Sequence, residues 1–80
     1  VSGVLNPDAT GDYFEAGIYG GRPYYARNDS AFAIWWQDGE SHWMISASPG
    51  TLNLYWVHDD PAIIGDYSPA AGATGTATVS

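Results

Sequence analysis

Hydrophobic residues in this chain alternate with polar or small ones over short stretches, and no window sustains helical spacing. Ten glycines and five prolines are scattered among them, leaving little room for a helix. The pattern predicts short β segments separated by turn chemistry. Val1–Leu5 is a first strand, ended by Asn6-Pro7-Asp8. Tyr13–Tyr19 and Arg22–Arg27 flank Gly20-Gly21, and Phe32–Gln37 and Ser41–Ala47 flank Asp38-Gly39. Both dipeptides suit a two-residue hairpin turn with positive φ at its centre. Leu54–His58 is a short strand ended by Asp59-Asp60-Pro61, and Thr74–Val79 is a last one.

Registering the hairpins predicts their faces. A two-residue turn at Asp38-Gly39 sets Gln37 opposite Glu40, Trp36 opposite Ser41, Trp35 opposite His42 and Ile34 opposite Trp43. One face then carries Phe32, Ile34, Trp36, Trp43, Ile45 and Ala47, a core. The other carries Trp35, Gln37, Glu40, His42 and Met44, a mixed surface. A Gly20-Gly21 turn sets Tyr24 opposite Gly17, where the ring covers bare backbone. Phe14, Ala16 and Ile18 then share a face with Pro23 and Tyr25. The expected fold is all-β: a small single-domain antiparallel meander of about six or seven strands, closed as a barrel or compact sandwich.

Composition narrows what such a module does. The chain has 80 residues, room for one domain spanning residues 1–80. It lacks cysteine, so neither disulfides nor a thiolate metal cage hold it together. Four Trp, six Tyr and two Phe must supply much of the core. A formal charge of −7 argues against nucleic acid and anionic membrane as partners, since both need a cationic footprint. The start on Val1, without a basic leader, suggests a module cut from something longer. The echo of Val1-Ser2 in Val79-Ser80 fits tandem units.

Candidate chemistry is sparse. Asp59-Asp60 reads as a turn of solvated aspartates rather than a catalytic dyad, because adjacent side chains on an extended chain diverge. Asp8 and Asp12 lack the ligand spacing of a calcium loop. His42 and His58 lie in strands beside tryptophans, with no activated nucleophile near them. No cofactor, metal or catalytic residue is expected. Asn28-Asp29-Ser30 reads as an Asx-turn between strands. An internal echo aligns Pro7–Ala16 with Pro61–Ala70, sharing Pro, Gly-Asp-Tyr and Ala. It reads as a reused turn leading into a strand with a Tyr capping the core, or as internal duplication.

The remaining candidates are surfaces. Trp35, with Gln37 and His42 on the mixed face and Tyr24 on the neighbouring hairpin, is the ring expected to stay exposed for a ligand or partner. Thr74, Thr76 and Thr78 alternate with small residues on a strand without a charged guard, which suggests an edge free to pair with another chain.

The residues Thr10-Gly11-Asp12-Tyr13, Ala16–Tyr25, Ile34-Trp35-Trp36, Trp43–Ser46 and Gly75–Val79 together resemble small β modules of predicted phage and bacterial proteins, largely metagenomic. The sequence departs in having Gly20 where those modules usually carry Asn, which a two-residue turn tolerates. The resemblance implies a viral or environmental origin and a place in a virion or on an extracellular surface. Its motifs define a fold and carry no catalytic residues. The leading expectation is therefore a non-enzymatic structural or interaction module, partnered by itself or by other virion or surface proteins. The alternative is a carbohydrate-binding module with a glycan stacked on exposed Trp and Tyr.

Overall fold

The computed structural model describes residues 1–80. Seven antiparallel strands follow one another in chain order within a single curled sheet: β1 (Tyr13–Tyr19), β2 (Arg22–Arg27), β3 (Ala33–Gln37), β4 (His42–Ser46), β5 (Tyr55–His58), β6 (Gly65–Ala70) and β7 (Ala77–Val79). The sheet curls as a half-barrel, and β1 and β7 are not paired with each other. Of the two expected closures the barrel-like one is adopted, incompletely.

The first hairpin turns at Gly20-Gly21 and pairs Gly17 with Tyr24, as expected, and the Tyr24 ring lies against Gly17. The expected apolar face of β1 does not form. A β-bulge between Glu15 and Gly17 inserts one residue, so Phe14 and Ile18 no longer share a face. Both are exposed. The inner face of this hairpin is instead supplied by Tyr13 and Tyr25.

The second hairpin is displaced from the expected register. Gln37 pairs with His42, Trp36 with Trp43 and Trp35 with Met44, around a four-residue loop. Gly39 keeps a negative φ while Ser41 takes φ 55°, so the loop is not the two-residue turn with positive φ at both centres. Moving the register by two residues preserves both faces. It also sets Trp36 against Trp43, edge to face with centroids 5.5 Å apart, a contact the shorter turn denies.

Inside the curl, Ile34, Trp36, Trp43, Ile45, Trp56, Tyr67 and Ala77 form one core with Ala9 and Ala73. The outer face of β3 and β4 is buried too: Ala33, Trp35 and Met44 make a second cluster packed by Tyr24 and Tyr55. Every indole N–H has an acceptor. Trp35 donates to Ser46 Oγ at 2.8 Å, Trp36 to Asp38, Trp43 to the Pro61 carbonyl and Trp56 to the Gly75 carbonyl. The last two fasten loops to the core.

Two segments depart from expectation at the far edge. Gly65–Ala70, read as part of a turn leading into a strand but given no strand of its own, is β6. Its first half pairs with β7 and its second with β5, so Pro69 sits where only one neighbour needs hydrogen bonds. Val1–Leu5 forms no strand; Ser2 and Asn6 make isolated bridges to Thr78 and Thr74. Between the bridges Gly75, at φ 90°, passes so close to the Val4 carbonyl that a Cβ would overlap its oxygen. Only glycine fits there.

The internal echo is a reused local device. Tyr13 donates its hydroxyl to the Ala9 carbonyl at 2.6 Å, and Tyr67 donates to the Ile63 carbonyl at 2.7 Å, each four residues back. Gly11 and Gly65 hold matching φ of 134° and 137°. In both, the phenol anchors the loop that leads into β1 or β6, and burial raises its pKa.

Candidate functional site

Curling without closure leaves one face of the sheet's interior reachable from solvent. Between β1 and the Ile63-Ile64 and Val79-Ser80 segments lies a groove of about 530 Å³, lined mainly by apolar side chains. Tyr13, Phe14, Tyr25, Ile34, Ile63, Ile64 and Val79 are the apolar residues along it, with Ile34 the buried one. Phe14 is 60% exposed, Ile64 60% and, further along β1, Ile18 67%. Beside the groove runs the free edge of β1. Its backbone pairs with β2 alone, and the nearest closure is the reciprocal pair of bonds between Val1 and Gly11 at one end.

Acidic side chains outnumber cations along this seam. Asp12 lines the groove and Glu15 is exposed on β1. Both arginines are engaged elsewhere. Arg27 binds Asp29 through both carboxylate oxygens at 2.8 Å and clamps the Asp8 and Thr10 carbonyls. That guanidinium, with the Ala31 N–H, holds the Asp29 carboxyl at about 2. The Thr10 hydroxyl and N–H lower the pKa of Asp8. Arg22 stacks over Trp36 at 3.9 Å and donates to the Pro61 carbonyl. No arginine is left to balance the acids at the seam; the cation there is the Val1 ammonium, which is held on the Gly11 carbonyl and forms no ion pair with Asp12 or Glu15.

The residues expected from the sequence fall in three places. Gln37 and His42 are together at the tip of the second hairpin, with Gln37 Oε1 2.6 Å from His42 Nε2 and Asp59 Oδ1 2.9 Å from His42 Nδ1. Asp60 turns away to accept from Ala62 N–H. Trp35 corrects the expectation of an exposed ring: it is 1% exposed, hydrogen-bonded to Ser46 and covered edge-on by Tyr19. It is buried because the outer face of the sheet has its own cover of tyrosines. Tyr24 is half-buried in that cover. Trp35 and Gln37 border a second, polar groove of about 320 Å³ with Tyr19 and Asp38.

Thr74, Thr76 and Thr78 lie at the other end of the sheet and do not form a free edge. Thr78 exchanges both backbone bonds with Ser2, Thr74 does so with Asn6, and Thr78 Oγ1 donates to Asp66. The chain's own first residues occupy the place expected for a partner. His58 stacks on Tyr67 with Nδ1 3.1 Å from the Asp66 carbonyl, which fixes the proton on Nδ1; its Nε2 is buried against Gly65 without a partner.

Sequence reasoning missed Phe14, Ile18 and Ile64 as surface. The signal was present in Ala16-Gly17, a place for a bulge that ends strict alternation, and in two adjacent isoleucines that a single buried face cannot both accommodate. Compared with known proteins, the chain matches no family model, no curated protein and no solved structure.

Proposed function

We propose that this chain is a non-catalytic interaction module of a particle or surface protein, and that its contact surface is the open seam beside β1. One observation carries the reading: an unpaired strand edge runs alongside an apolar groove lined in part by exposed Phe14 and Ile64, with exposed Ile18 further along the same strand. Unpaired strand edges and contiguous apolar patches are costly in water and are features of recognition surfaces. The resemblance of the sequence to phage and bacterial β modules supports assigning that surface to a virion or cell-exterior assembly.

The test is selection of a displayed random-peptide library on the protein, counter-screened with Phe14→Asp/Ile64→Asp. Enriched sequences are expected to lose at least tenfold in binding to the variant. Enrichment that ignores the substitutions, or none, removes the seam as the contact surface. A glycan is the second reading, favoured by the polar groove where Tyr19, Gln37 and Asp38 surround the edge of Trp35. It predicts glycan-array signals lost in Tyr19→Ala; signals at background, or unchanged by that substitution, eliminate it.

A further inference from the structure

We infer that the seam's partner is an extended polypeptide strand that adds to the free edge of β1 and carries a basic–apolar–apolar–basic run. This deepens, and rests on, the seam as contact surface. Along Tyr13–Tyr19 the N–H and C=O groups directed away from β2 have no partner in the chain, and a strand laid there satisfies them as an eighth member of the sheet.

Side chains then specify the sequence. Residues directly opposite one another across an antiparallel pair share a face. The position opposite Tyr13 points inward, into the groove over Tyr25 and Ile34, and calls for an apolar side chain. Opposite Phe14 the new side chain lies on the outer face against an exposed ring, again apolar. The flanking positions face Asp12 and Glu15. Neither carboxylate forms an ion pair: Arg22 and Arg27 are held at Trp36 and Asp29, and the Val1 ammonium is bonded to the Gly11 carbonyl. Lysine or arginine at those two positions supplies the missing charge.

A second copy of this chain fits worse. Each copy carries −7, and pairing β1 with its own image brings the same acids to one seam. The charge of the edge selects a basic partner and rejects the chain's own strand.

The probe is the blocked peptide Thr-Ser-Thr-Lys-Val-Ile-Lys, which ends opposite Asp12 because Val1 holds the place opposite Gly11; it is titrated into the full chain and followed by amide NMR shifts. Two controls accompany it: glutamate in place of both lysines, and N-methylation of the valine and isoleucine, adjacent amides of which one faces β1 in any register. The expected result is shifts concentrated in Tyr13–Tyr19, at least tenfold weaker binding of each control, and affinity that falls as salt rises. Asp12→Lys/Glu15→Lys is expected to reverse the preference toward the glutamate peptide. The inference is overturned if the N-methylated peptide binds as well, if charge makes no difference, if the shifts map elsewhere, or if sedimentation shows the chain pairing with itself through β1. Library sequences that need Phe14 and Ile64 but lack basic residues also overturn it, while leaving the seam as contact surface intact.

Discussion

A tryptophan that stacks on a ligand must show a face, and Trp35 shows none. Its ring is a structural element of the outer cluster, and its N–H satisfies the buried Ser46 hydroxyl. Trp35→Ala is therefore expected to lower unfolding free energy by about 3–5 kcal/mol, measured by urea denaturation. A ligand-contacting surface ring would leave stability nearly unchanged. Asp29 gives a second residue-scale prediction. Its folded pKa of about 2 lies below the ordinary value near 4, so the contribution of the Arg27–Asp29 pair is complete above about pH 4. That contribution is lost as pH falls from there toward 2, and the shift at Asp8 has the same sign. The melting temperature is expected to drop across that window, and Asp29→Asn to flatten the drop.

At the scale of elements, the far edge depends on two segments passing at backbone contact. Gly75→Ala places a methyl group at positive φ against the Val4 carbonyl, and no flexible side chain is there to yield. The expected cost is about 2–3 kcal/mol, with faster hydrogen exchange at Ser2 and Thr78 as the local readout. These elements also show what the sequence made legible. Strands β1 to β5 were marked by alternation and glycine turns, and Tyr24 over Gly17 followed from counting outward from Gly20-Gly21. Strand β6 was hidden because Gly65, Ser68 and Pro69 are poor strand formers, tolerated here by the staggered pairing with β5 and β7. The register at Gln37–His42 was hidden because the Trp36–Trp43 contact, not Asp38-Gly39, sets the loop.

The whole molecule explains why the candidate surface was the least legible part. Alternation tells which residues share a face, but it does not say whether a second layer covers that face. Trp35 was read as exposed on the assumption of a sheet with one wet side, whereas Tyr24 and Tyr55 cover the outer side of β3 and β4 and the main core covers the inner. Conversely Thr74–Thr78 was read as an open edge, and the first residues of the chain close it. The open edge is at β1, where the curl stops short. Low cation content, visible in the composition, acquires a location there: both arginines are consumed in internal contacts, so the seam keeps its acids bare.

The bridge between Ser2 and Thr78 joins residues separated by nearly the full chain, while β1 to β5 pair only with immediate successors. Contacts between sequence neighbours cost little loop entropy and form early; the closing bridge must wait until everything between its partners is compact. Time thus divides the molecule as space does, into a meander that nucleates and an edge that latches afterward. Gly75→Ala strains only the latch, so in a chevron experiment it is expected to accelerate unfolding and leave the refolding rate nearly unchanged.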